Sequence, residues 1–530
     1  MISWTRRDLF GALAASGLAA GPATDFAMGA PRHGQAAEGQ RCADLGDGTY
    51  LNPIVPGDHP DPTILKDGPD YYMTFSSFRS TPGATIWHST DLVNWAPIVS
   101  ALSEAIGTVW AMDLVKHEGR YYLYIPVLGD TGTGIFVVHA RDIRGPWSAP
   151  IDLRIPGCID PGHVVGEDGR RYLFVNGGRR VRLAPDGLAT DGPVQSDAWS
   201  PWRYPADWVV EMFAPEGPKL LRRGEWFYLI SAVGGTAGPP TSHMVTLARS
   251  RSVHGPWEQC PHNPIVRTTD ADEPWWSRGH ASLIEGPAGD WWMVYHGYEN
   301  GIRTLGRQTL LEPVEWTSDG WLRARGGRLD RPLSKPAGGR RSAPGIPLSD
   351  DFSRAGLGLQ WSFHALTPGA PTRTRLDGGA LLLQGQGSSL ADCSPLTCTT
   401  GDRRYEVSAE FEILGEAHGG LAVFYDERGH AGLGFSRSQM LTYGYGQEQR
   451  WMREDYAGPR VHVRMRNIDN VLTFHHSADG ANWKQHPWQM EVSGMHHNVF
   501  GGFLSLKVAL FSAGSGAVRI RNFTYKGLSA

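Results

Sequence analysis

Short runs of aromatic and β-branched residues dominate the first part of the chain, and five of them open in the same way. At 67–75, 118–124, 167–174, 223–229 and 287–295 a Gly-containing turn leads into an aromatic strand pattern, as in Tyr71-Tyr72-Met73 and Trp291-Trp292-Met293. The copies recur at roughly 50-residue spacing, a period that marks propeller blades. Echoes follow three of them at 87–95, 138–147 and 247–257, each reading as a third strand, a turn and an outer strand opening on Trp95, Trp147 or Trp257. The pattern predicts a β-propeller of five blades over 48–330. Each blade is expected to be a four-stranded antiparallel meander, and radial repetition keeps the sheet edges short.

The periodicity lapses into Pro, Gly and Arg over 331–347, which reads as a linker. Alternation returns in 405–413, 420–425 and 518–525 with the period of half-buried antiparallel strands. A β-sandwich over 348–530 is the economical reading. The predicted fold is therefore all-β, a five-bladed β-propeller followed by a β-sandwich. A chain of 530 residues exceeds what one hydrophobic core usually serves, in keeping with two domains.

Composition narrows the partner. A formal net charge of −4 with scattered basic residues gives no reason to expect nucleic acid. The 67 Gly, 37 Pro and 20 Trp suit tight turns between short strands and a ligand met by flat aromatic faces. Sugars present such surfaces, so an oligosaccharide or polysaccharide is the expected substrate. Near the N-terminus, Arg6-Arg7 precedes a weakly apolar stretch that is too short, and too rich in Gly and Ala, to span a bilayer. We read 1–37 as a twin-arginine export signal with a flexible tail, which implies a periplasmic or secreted protein without membrane insertion. Five cysteines are too few and too dispersed for a disulfide scaffold or a zinc site. Only Cys393 and Cys398 are close enough in sequence to pair locally in an oxidising compartment.

The propeller reading supplies a positional test, because the first strand of every blade lies alongside the central axis. Shortly ahead of the five aromatic strands stand Asp61, Asp113, Asp160, Glu216 and His280, most of them flanked by Pro or Gly. Such flanking limits ladder pairing where a backbone bends to aim a side chain. Several carboxylates aimed into one cavity meet the requirement of glycoside hydrolysis, in which one acid protonates the leaving oxygen and another carboxylate activates water. Like charges in a confined site also raise one another's pKa and keep an acid protonated near neutrality. Asp67, Asp70, Asp91, Asp142, Asp168 and Asp290 fall in turns and outer strands, where local backbone hydrogen bonding is the expected role.

The residues 52–62 with Asp61, Ile159-Asp160-Pro161-Gly162, Pro215-Glu216-Gly217-Pro218, Gly279-His280-Ala281-Ser282, Leu305-Gly306-Arg307-Gln308 and Pro313-Val314-Glu315-Trp316 together resemble glycoside hydrolase family 43. The resemblance runs from about residue 50 to 325. It implies that Asp61 is the general base, Glu216 the general acid, and Asp160 the residue that orients the acid and tunes its pKa. It further implies that Arg307 binds substrate hydroxyls and that Trp110 lines the terminal sugar subsite. His280 is placed with the substrate-facing residues, at a family position that often coordinates a structural cation, calcium, through water, with a satisfied buried histidine as the competing reading; no cofactor is required. Met112 stands where the family usually has Pro. The C-terminal region resembles the concanavalin-like sandwich of β-xylosidase-type members, which packs on the propeller and lends a loop to the pocket rim. A free-standing carbohydrate-binding module is the competing reading of this region.

The function implied is an inverting exo-glycosidase acting on terminal β-D-xylosyl or α-L-arabinofuranosyl residues of plant-type glycans. A β-galactofuranosidase of the same fold and a sugar-binding propeller without catalysis stand beside it. A retaining fructan-type hydrolase is set apart because its acid sits in a Glu-Cys pair, whereas Glu216 precedes Gly217.

Overall fold

Tight two-residue turns set the register of the first, second and fourth blades. In the first blade Asp67 pairs with Asp70 across Gly68-Pro69, with Gly68 at φ +61°, and in the second His117 pairs with Arg120 across Glu118-Gly119, both left-handed. Turns of this hand match strand twist and fix which residues face each neighbour. The computed structural model describes residues 33–529 apart from 341 and 457, so the proposed twin-arginine segment lies outside the described residues.

The alternation predicted by the aromatic strands has a direct cause, since both faces of each blade are buried against its neighbours. Tyr122 and Tyr124 join the second blade to Leu173 and Val175 of the third, while Tyr121 and Leu123 of the same strand pack with Ile86 of the first. Tyr172 and Phe174 then meet Phe227 and Leu229, and Tyr228 and Ile230 meet Met293 and Tyr295. Trp292 and Val294 return to Tyr71 and Met73, which closes the ring. The segment ahead of the first blade latches this closure. Asn52 exchanges hydrogen bonds of 2.8 and 2.9 Å with the backbone of Leu311, and Thr49–Tyr50 pairs with Leu333–Ser334.

The blades depart from a uniform four-stranded meander. The first and fifth have four strands and the second and fourth have five, but the third has three, Gly162–Val165, Arg171–Val175 and Arg179–Arg182. Beyond it the chain keeps only isolated bridges, Arg180 to Gln195 and Leu183 to Thr190. Pro185, Pro193, Pro201 and Pro205 interrupt this stretch and cannot donate to a ladder.

The C-terminal region is built on two long strands, Arg404–Asp426 and Lys507–Gly527, paired along nearly their whole length. The segments expected separately at 405–413 and 420–425 form one strand. Gly419 and Gly420 allow its passage, since a Cβ on either would lie 2.1 Å from a neighbouring carbonyl oxygen. Its apolar side chains form one large core, Leu421 and Val423 with Leu433 and Val508. The residues expected to be a linker, 331–347, are pinned to the propeller by the ion pairs of Lys335 with Asp44 and Asp91. Phe363 and His364 extend the sandwich sheet onto Ser80–Thr81 of the propeller, and Thr304 donates to Asn470 at 2.6 Å.

Cys393 and Cys398 form no disulfide. Cys398 ends the strand Leu396–Cys398 and lies in the main sandwich core, whereas Cys393 precedes that strand, beyond left-handed Ser394, in a second cluster with Tyr443 and Phe511.

Candidate active site

Three of the five blade slots share an unusual backbone. Asp61, Asp160 and His280 all lie in the left-handed region, at φ +57°, +56° and +57°. That conformation is sparse for residues with a Cβ, although Asp and His tolerate it better than most. Glu216 is aimed by a different device, a register shift between Glu216 and Lys219 in the first strand of the fourth blade. Pro215 and Pro218 flank that bulge, and bulges of this kind re-aim side chains beside cavities.

Asp61 is buried and held from several sides. Arg307 Nη1 donates to its Oδ1 at 2.8 Å, His296 Nδ1 lies 3.0 Å from the same oxygen, and Ser76 donates to Oδ2 at 2.5 Å. The neighbouring Arg307 guanidinium outweighs burial and holds the Asp61 carboxyl well below the usual range.

Asp160 and Glu216 behave in the opposite way. Asp160 is buried without a cationic partner in contact, its Oδ2 accepting the Gly217 N–H at 3.1 Å. Burial and the Asp61 charge push it up to about 7. Glu216 keeps 23 % of its side-chain surface open, and its Oε1 lies 4.0 Å from His243 Nε2. Burial first, then the charges of Asp160 and Asp61, raise its carboxyl well above the ordinary glutamate value. One carboxylate is thus held charged while its neighbours are held toward the protonated form, the arrangement that separates base from acid.

Three imidazoles line this group. The rings of His243 and His296 stack 5.2 Å apart and those of His280 and His296 6.0 Å apart. Burial lowers His243 to about 4 and His280 to about 3, so both are neutral. Gly279 makes room for this packing, because a Cβ there would lie 1.9 Å from the His243 ring.

The other slots and predicted residues take distinct places. Asp113 accepts the Lys219 ammonium at 2.8 Å and the His163 N–H at 2.7 Å, which makes it a buried structural pair rather than a free acid. Trp110 is half-buried against the sandwich core, directly after Val109, which is bonded through its backbone to Phe78. The Arg307 guanidinium lies 5.8 Å from the Phe78 ring and 5.3 Å from that of Phe503, and its Nε has no partner among the described residues. Phe503 comes from the sandwich, so that domain does reach the residues around Arg307.

His280 Nε2 and His243 Nε2 are buried without hydrogen-bond partners among the described residues, and with Glu216 these histidines form a group whose ligand atoms lie within 4.8 Å of one another. Two imidazole nitrogens and one carboxylate do not fit calcium, which takes six to eight oxygen ligands. Only a contact through water would satisfy His280 in that role.

Sequence reasoning did not single out His243, His296, Ser76 or Phe503. His296 lies on the second strand of its blade opposite Gly279, and Ser76 directly follows the first aromatic strand. Facing the first-strand slots across the hairpin is the one signal that would have found these two.

The comparisons agree with this geometry. A family model described as Glycosyl hydrolases family 43 matches residues 50–322, and one described as Beta xylosidase C-terminal Concanavalin A-like domain matches 349–526. A non-reducing end alpha-L-arabinofuranosidase of Bacteroides ovatus is 27 % identical over 518 residues, 89 % of this chain and 93 % of that protein. A xylan 1,3-beta-xylosidase of a Vibrio species is 32 % identical over 309 residues, 51 % of this chain and 56 % of its own. Among solved structures, a xylan beta-1,4-xylosidase from Bacillus halodurans superposes with a TM-score of 0.80 at 27 % identity, covering 90 % of this chain and 99 % of the other. Among the described residues, no helix is long and apolar enough to cross a membrane.

Proposed function

Because the chain belongs to glycosyl hydrolase family 43 and is a glycoside hydrolase, we propose that it releases single terminal β-D-xylosyl or α-L-arabinofuranosyl residues from plant-type glycans, with inversion at the anomeric carbon. The observation that carries this reading is that Asp61, held by Arg307 at 2.8 Å, and the partly open Glu216 flank one histidine, His280, at 3.6 Å from Asp61 and within 4.8 Å of Glu216. The two sugars are those in the names of the relatives from Bacteroides ovatus and Vibrio.

Asp61, charged, takes a proton from the attacking water as its oxygen bonds to the anomeric carbon. Glu216, protonated, gives its proton to the departing glycosidic oxygen. Asp160 acts through Glu216. It accepts the N–H of Gly217, the next residue, and its charge helps keep the acid protonated. Arg307 fixes Asp61 through Nη1 and takes the sugar hydroxyls nearest that pair, with Trp110 beside the terminal sugar. These steps draw on side chains and water alone. Phe503 beside Arg307 supports exo-action, since a loop of the second domain narrows the approach to the sugar site.

The pH dependence follows in sign. Activity needs Asp61 deprotonated, and its lowered pKa keeps it so through the acid range. It also needs Glu216 protonated, and the raised pKa delays proton loss to the alkaline side. In Asp160→Asn one of the two charges supporting that protonation is gone, so the alkaline limb of kcat moves to lower pH by about one unit. A pH profile on an aryl pentoside measures this. A limb that stays in place would remove Asp160 from the control of the acid.

The substrate is tested with aryl β-xyloside, α-L-arabinofuranoside and β-galactofuranoside. Hydrolysis of either pentoside is expected. Activity confined to the galactofuranoside would overturn the sugar assignment, and cleavage of none would favour a sugar-binding propeller.

A further inference from the structure

We propose that a hairpin tip of the sandwich carries a second glycan-binding surface, on which Tyr445, Trp451 and Trp488 stack against the flat faces of sugars in a polysaccharide chain. In this hairpin, strands Gln439–Gly444 and Gln447–Glu448 pair with Gly444 opposite Gln447, leaving Tyr445-Gly446 as the two turn residues. Both are left-handed, at φ +53° and +74°. Such turns favour Asn-Gly, and a bulky ring at the first position is an outlier. The strain here presents the Tyr445 ring to solvent, where it is 65 % exposed.

Trp451 is more exposed still, at 78 %, yet it is held in place. Its Nε1 donates to Gln449 Oε1 at 3.1 Å, and Gln449 Nε2 donates to the Gly444 carbonyl at 3.0 Å. Trp488 lies over Gly444, where an added Cβ would sit 2.3 Å from its ring, and its centroid is 5.6 Å from that of Tyr445. Trp488 thus packs on Gly444 beside solvent-open Tyr445, and solvent-open Trp451 is tied to the same glycine through Gln449. Single exposed apolar residues need no explanation, but adjacent ones mark interaction sites. Exposed Gln447 and Arg450 and the 2.5 Å ion pair of Arg453 with Glu448 border the rings. Apolar faces edged by amide and charged groups match a sugar ring, which is apolar on its C–H face and polar at its rim.

The surface is continuous with the neighbourhood of the pocket, which favours a glycan over a second copy of the chain. Gly446 donates to the His430 carbonyl at 3.0 Å and packs on the backbone of Arg428. The Arg428 guanidinium in turn bonds the carbonyl of Phe500. Phe500 belongs to the segment that ends in Phe503, against Arg307. These contacts tie the hairpin turn, through Arg428, to the segment that carries Phe503 to Arg307. The inference rests on the glycoside hydrolase chemistry and not on which pentose is released.

The test is affinity electrophoresis of the full chain carrying Glu216→Gln through gels containing soluble arabinoxylan, glucuronoxylan or arabinan. Retardation by at least one polymer is expected, weakened about tenfold when Tyr445→Ala and Trp451→Ala are added. In the otherwise wild-type chain, the same two substitutions should leave aryl pentoside hydrolysis unchanged while slowing release of sugar from the retarding polymer. Retention unaffected by the two substitutions would overturn the proposal, as would no retention on any polymer. Self-association abolished by the two substitutions would also overturn it, by making the patch a contact between copies. Retention that disappears with the two rings upholds the surface even if no aryl pentoside is cleaved, a result that counts against the pentose reading alone.

Discussion

In Glu216→Gln, kcat on a xylo-oligosaccharide falls by about 10²–10⁴-fold, while the rate on a dinitrophenyl pentoside falls far less. The contrast follows from the work assigned to this side chain. A sugar leaves as a strongly basic alkoxide and needs a proton as the bond breaks, whereas a dinitrophenolate leaves readily without one. Glu216 suits that task because burial and the charges of Asp160 and Asp61 hold its carboxyl in the protonated form, while its side chain stays partly open. Gln fills the same space but has no proton to give. Steady-state kinetics on the two leaving groups measure the effect. Equal losses on both would mean that Glu216 acts by shaping the site rather than by donating a proton.

Asp61→Asn lowers kcat by a similar factor, about 10²–10⁴-fold, but without regard to the leaving group. In the proposed mechanism the Asp61 carboxylate activates the water that every substrate needs. Asn keeps the volume but loses the charge that Arg307 and the histidines surround. Arg307 then lacks the counter-charge it meets at 2.8 Å, so thermal stability also falls, by about 3–5 kcal/mol if the pair behaves as buried pairs do. A loss that shrinks with better leaving groups would place Asp61 on the acid side of the reaction instead. The two substitutions together therefore separate the roles by leaving-group response, which neither does alone.

The five blades were legible because each aromatic strand must satisfy neighbours on both faces, which forces the Tyr-Tyr and Trp-Trp doublets and repeats them with the blade. The site slots were legible for the same geometric reason, since first strands meet at the axis, and Asp61, Asp160, Glu216 and His280 do converge. The partners that tune them were harder to see. His296 and His243 sit in ordinary strand surroundings, and only the packing of neighbouring blades stacks them beside Asp61 and Glu216. Asp113 shared the pattern but meets Lys219, a partner that no repeat position announces. The third blade lost its outer ladder to prolines spread over a long connection. The single strand through Gly419 looked like two because glycine interrupts side-chain alternation without interrupting pairing. Phe503 reaches the site from the far end of the chain, beyond any local signal.

The central claim is that Asp61 delivers water to the face of the sugar opposite the bond that Glu216 helps to break. Proton NMR of the first product released from an aryl β-xyloside, recorded before mutarotation, tests it most directly. The account predicts α-xylose as the initial anomer. Initial β-xylose would show retention and contradict the assignment of Asp61 as a general base.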